Sequence, residues 1–239
     1  MSKNYFKISN FLLIAVILFY SCKKEDNSGN KSITVTDIDG NIYKTVKIGN
    51  QVWMAENLKT THFRNGEEIP VVTVYAEWNN LTTAASCVYN NDSTKLSVYG
   101  RLYNGYAVSD NRNICPAGWH VPSKEEWETL ISYLGGKSIA GGKLKEPGSA
   151  HWGSTNHTID TISGFNALPG GRRDNYGAFY NIQADGSFWS STEFEDTGDK
   201  KSVEEATVMW SENMDMSETS IDGYVYGKYV GLSVRCIKD

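Results

Sequence analysis

The chain has 239 residues and a formal net charge of −5, from 23 Lys and Arg against 28 Asp and Glu. An acidic balance excludes a nucleic-acid binder, which needs clustered cations, and an electrostatic reader of anionic membranes. The length allows one large domain or two small ones. With no second linker, no fixed repeat and tryptophans spread from Trp53 to Trp210, one domain is expected.

The chain begins with Lys3 and Lys7, then the apolar run "FLLIAVILFY", Phe11 to Tyr20. The run has the length of a signal-peptide core and is too short for a bilayer, which takes roughly 20 residues. Ser21 before Cys22 resembles a bacterial lipoprotein signal, with residues 1–21 removed and Cys22 lipidated. "KKEDNSGNK" then supplies a polar tether to residue 31, unable to bury a core. Its charged start resembles the export tags of Bacteroidetes surface lipoproteins. The resemblance implies an outer-membrane lipoprotein facing the cell exterior, with the periplasmic face as the alternative. Several acyl chains on one cysteine anchor firmly. Residues 1–21 carry two lysines and no acid, so the mature charge is −7.

Residues 32–239 are expected to form the domain. "ITVTD", Ile33 to Asp37, alternates apolar and polar, and Asp39-Gly40 is a turn signal. "IYKTVKI", Ile42 to Ile48, alternates again; Gly49-Asn50 turns the chain into "QVWMAENL", Gln51 to Leu58. An antiparallel meander is expected here. Lys59 to Asn113 is polar and irregular, and long loops of that kind are often functional. Ser123 and Glu126 form a capping box, Trp127, Leu130, Ile131 and Leu134 make one apolar stripe, and Gly135-Gly136 ends it. This predicts a helix over Lys124 to Leu134. "SFWSST" (187–192) and "YVGLSVRCI" (229–237) read as late strands, and Trp53, Trp119, Trp127 and Trp189 as core.

"CPAGWHVPSKEEW", Cys115 to Trp127, places a thiol five residues before an imidazole, His120. A reactive thiol needs a neighbouring cation, metal or helix N-terminus. The stretch reads instead as a structural corner, with Trp119 and Pro122 wedging the helix against a sheet. Three cysteines remain beyond Cys22, in a compartment that permits disulfides.

Six segments in order, "DIDGNIYKTVKIGNQVWMAENL", "YGRLYNGYAV", "CPAGWHVPSKEEWETL", "GFNALPGGRR", "FWSSTE" and "GLSVRCIKD", resemble the Fibrobacter succinogenes major paralogous domain across Ile33 to Asp239. That family resembles in turn the C-type-lectin-like fold shared with formylglycine-generating enzymes. The resemblance implies an α+β domain: antiparallel sheets, one or two helices and long loops that carry recognition. Formylglycine-generating enzymes bind copper through a late cysteine pair, whereas the late region here holds only Cys236. A Cys115–Cys236 bridge is therefore expected, with Cys87 free and buried; Cys87–Cys115 and Cys87–Cys236 are the alternatives.

The other chemistries find little support. Glu146-Pro147-Gly148 lacks the amide of a calcium-lectin loop. "EFEDTGDKKSVEE", Glu193 to Glu205, offers carboxylates for calcium without EF-hand spacing. No cofactor is expected beyond that possible calcium. His151 and His157 lie too far apart for a close-set zinc pair. There is no phosphate loop and no G-x-S-x-G elbow. Recognition remains. Trp152, Arg172, Arg173, Asp174, Tyr176, Tyr180 and Trp210 are the aromatics and charges least committed to a core. The expected function is a non-enzymatic recognition domain for a glycan or a surface protein. The alternatives are an enzyme on an extracellular polymer, whose carboxylate pair 28 acids cannot exclude, or a structural envelope component.

Overall fold

The computed structural model describes Met1 and residues 34–153, 157, 163–194 and 208–239. The signal, tether and Cys22 lie outside the described residues, as does most of the acidic 193–205 segment. Ser32–Asp239 forms one compact unit.

The first elements follow the alternation of the sequence. β1 (Thr34–Thr36), β2 (Ile42–Ile48) and β3 (Gln51–Met54) form an antiparallel meander. Asp37 closes the first turn: its carboxylate accepts from Asp39 N, Asn41 N and the Tyr43 hydroxyl. The expected third strand stops four residues early, at Met54, because Leu58 N bonds Val234 O instead of continuing the ladder.

The polar middle holds short pieces, α1 (Tyr75–Trp78), β4 (Ser86–Cys87), α2 (Leu96–Tyr99), β5 (Leu102–Asn104) and α3 (Gly105–Val108), and β6 (Trp119–His120) follows it. Then come α4 (Lys124–Tyr133) and α5 (Lys137–Leu144). The described residues thus contain five short α-helices rather than one or two. β7 (Arg172–Arg173), β8 (Phe179–Tyr180), β9 (Asp185–Glu193), β10 (Val208–Asp215), β11 (Asp222–Gly227), β12 (Gly231–Leu232) and β13 (Ile237–Lys238) complete the chain. The sheets run β1-β2-β3-β13-β6, β11-β10-β9 and β4-β5-β12-β7-β8, and all strand pairs within them are antiparallel.

α4 forms where the capping box requires it. Ser123 Oγ accepts from Glu126 N at 3.2 Å, and Glu126 Oε2 accepts from Ser123 N at 2.8 Å. The stripe Trp127, Leu130, Ile131 and Leu134 is buried against Trp53, Phe165 and Phe188. Ser123→Ala removes one side-chain acceptor from the helix start and is expected to cost about 1 kcal/mol; urea denaturation of the variant checks it. α5 has the glycine-rich sequence KSIAGGKL, a poor helix former. Gly141 explains its use: a Cβ there would lie 1.9 Å from Ser220 O, so only glycine lets α5 approach that loop.

The C-terminal segment corrects a further expectation. Residues 229–237 are not one strand: β12 and β13 belong to different sheets. Between them Arg235 turns fully inward, its Nε donating to Asn57 Oδ1 at 2.8 Å and its Nη2 to Asn166 O at 2.7 Å. Cys236 bonds Cys115 across 121 residues, inside the cluster of Tyr43, Met54, Trp119, Trp189 and Val234. Cys87 is a buried free thiol, which burial pushes up to about 11.

Candidate functional site

The pair that opened the chemical question is not reactive. Cys115 is spent in the disulfide. His120 holds Asp239 Oδ1 through Nδ1 at 2.6 Å and Glu126 through Nε2 at 2.9 Å, tying the last residue to the start of α4. Among the described residues, no group of three or more His, Cys, Asp and Glu is arranged to hold a metal ion.

"GGRRDNYGAFY" forms the β7–β8 hairpin. Asp174 builds its tip, taking Ala178 N on Oδ1 at 2.8 Å. Strand alternation sends Arg173 and Phe179 inward and Arg172 and Tyr180 outward. Arg173 is 1% exposed. Its Nε donates to Gly177 O and its Nη1 to Val72 O, while its guanidinium lies 4.3 Å from the Trp78 ring centroid. It fastens the hairpin to residues 72–78 and presents nothing to a ligand.

Trp152 is likewise buried, its Nε1 donating to Ala167 O at 2.9 Å. These two are corrections: an aromatic and an arginine beside glycines gave no sequence signal of burial, and long-range packing decided it. Trp210 is half-buried under the Lys124 ammonium, 4.8 Å from its ring, and edge-on to Phe194. Tyr176 is exposed at the hairpin tip, with exposed Tyr75 packed beside Gly177.

Arg172 leads to a groove that the sequence did not reveal. Its Nη1 lies 3.3 Å from Asp185 Oδ2, which also accepts from Asn181 Nδ2 at 2.5 Å. Asp185 stands directly opposite Asp215 in the β9–β10 ladder. Cross-strand partners share a face, so Asp185, Asn213, Asp215, Asp222 and Tyr224 all project to one side. They line an open cavity of about 210 Å³ with Glu218 and Ser220. Trp210 and Glu212 alternate to the opposite face of the sheet. Tyr224 is half-exposed and stacks on Tyr226 with centroids 6.4 Å apart.

The groove is rich in fixed acceptors. Burial pushes the Asp185 carboxyl up, Asp215 adds to that, and Asn181 and Arg172 oppose it. Asp215 moves the other way: burial raises it, but the Ser217 hydroxyl and N–H bonds outweigh burial and hold it below its ordinary value. The two residues face each other across the β9–β10 ladder, so each carboxyl bears on the other's titration. The rim is held by Lys145, whose Nζ donates to the carbonyls of Asp215 and Glu218; burial lowers that amine to about 8. A partial signal did exist: polar residues at alternate positions, Asp185/Ser187 and Asn213/Asp215. It points to one face, but only pairing places the two strands together.

The architecture defines a mainly antiparallel domain with few short helices and a disulfide holding its last strand. Its sequence matches the profile of the family described as the Fibrobacter succinogenes major domain over residues 46–238, and the chain belongs to that family. No curated protein and no solved structure matches the chain.

Proposed function

We propose that the chain is an outer-membrane lipoprotein, anchored through Cys22 and facing the cell exterior. Its C-type-lectin-like domain recognises a glycan without transforming it. The observation that carries the glycan reading is the groove that runs from Asp185 to Tyr224. Carboxylates and an amide along one wall accept from hydroxyls, and the exposed face of Tyr224 offers a sugar ring an apolar platform. Arg172 is a rim residue here, while Asp174 and Tyr176 shape the adjoining hairpin. The exposed Tyr75 and Tyr176 favour a second reading, a surface-protein partner at the hairpin tip.

A glycan array probed with residues 32–239, with calcium and with chelator, tests the proposal. Binding to a glycan is expected, and Tyr224→Ala is expected to weaken it about 10-fold, the loss of one aromatic contact. Tyr176→Ala should leave it unchanged. If Tyr176→Ala abolishes binding and Tyr224→Ala does not, the recognition surface is the hairpin tip. If no glycan binds, the glycan reading fails.

A further inference from the structure

A second cleft, of about 250 Å³, opens beside β2 and the chain after β3. Two of its lining residues are acids, Glu56 and Glu146, and three are bases, Lys44, Lys59 and His151. His151 Nδ1 bonds Glu146 Oε2 at 2.7 Å, and Glu56 Oε2 accepts from Lys44 N at 3.0 Å, so both carboxylates are held in place.

Their arrangement has a structural cause. Arg235 lies fully buried behind the cleft, and its guanidinium meets carbonyls and the Asn57 amide oxygen rather than a carboxylate. Burial pulls that guanidinium down to about 9, and the nearby charges of Glu56 and Glu146 oppose the fall. A buried cation is favoured by nearby negative charge, and Glu56 and Glu146 supply it to Arg235. Asn166, whose carbonyl takes Arg235 Nη2, sits at φ 53° and turns the backbone into the lining. A left-handed residue other than glycine is held there by its surroundings.

We propose that this cleft binds a compact zwitterion of the amino-acid class, its ammonium against Glu56 and Glu146 and its carboxylate against Lys44 and Lys59. A ligand with only negative charge would face two acids, Glu56 and Glu146. A ligand with only positive charge would face two lysines. A small molecule bearing both charges meets both, and the volume admits one of that size. The proposal is independent of the groove on β9–β11.

The test is NMR titration of the chain with alanine, N-acetylalanine and alanine methyl ester, following the amides of Lys44, Glu56, Ser97 and His151. Alanine is expected to shift them saturably. Each single-charge analogue should bind at least about 10-fold more weakly, the equivalent of losing one ion contact. Lys44→Ala with Lys59→Ala should abolish the alanine shifts while the remaining spectrum stays folded. The proposal is overturned if alanine leaves the cleft amides unmoved, or if either analogue binds as well as alanine. A double variant that no longer folds leaves the analogue comparison on the native chain to decide.

Discussion

Replacing Cys115 and Cys236 together by alanine is expected to destabilise the domain by about 5 kcal/mol. The bridge spans 121 residues of sequence, and closing a loop of that length removes about that much chain entropy from the unfolded state. In a domain of this size the melting temperature should fall by roughly 10–20 °C. Both sulfurs are buried in the cluster of Tyr43, Met54, Trp119 and Trp189, so lost packing adds to the effect. Cys87 offers no substitute partner, being buried in a different cluster with its thiol held protonated. Denaturation of oxidised native chain and double variant in parallel checks this. A difference under about 1 kcal/mol would mean that the unfolded chain is already compact around these residues.

Glu212→Gln is expected to stabilise the domain at pH 8 and to change little at pH 4.5. Glu212 is 4% exposed on β10, on the sheet face that carries Phe188 and Met214. Its Oε2 has no hydrogen-bond partner among the described residues. Burial, the main cause, pushes the carboxyl up to about 7; Glu128 and Asp222 add to that, while Lys137 and Lys124 oppose it. The folded state therefore holds a proton that the unfolded chain has released, and stability falls as pH rises from the ordinary value of 4.5 to about 7. The shift corresponds to about 3 kcal/mol once both states are ionised.

Glutamine keeps the shape and cannot ionise, so its advantage should grow across that window and then level off. His120 contributes with the same sign. Burial lowers it, but its bonds to Asp239 and Glu126 prevail and hold it above its ordinary 6.5. Its contribution is complete below that value and is lost as pH rises through the raised one. The difference between native and Glu212→Gln chains, rather than the native profile, isolates Glu212. A difference that stays constant from pH 4.5 to 8 would show that the carboxyl does not titrate in that range.

Several features were legible from short-range pattern. A capping box, a stripe at helical spacing and a glycine pair specify α4 within a dozen residues, because each acts through neighbours three or four positions away. Alternation and Asp-Gly turns specify β1 and β2 for the same reason. The core tryptophans sit in apolar runs, and all of Trp53, Trp119, Trp127 and Trp189 are buried. The bridge was anticipated through resemblance, since spacing alone left three pairings open.

What only the tertiary structure decided depends on contacts distant in the chain. Arg173 and Arg172 are adjacent and identical, yet one is buried among Val72, Gly177 and Trp78 and the other pairs with Asp185. Gly141 in α5 is needed for the close approach of Ser220, a contact its sequence neighbours do not announce. The groove arises when Asp185 and Asp215, 13 residues beyond Arg172 and 43 beyond it in sequence, meet across β9 and β10. Hydrophobic periodicity reports how a residue relates to its own element. Burial of a charge and convergence of carboxylates are set by which elements pair, and that register is decided by the whole core at once.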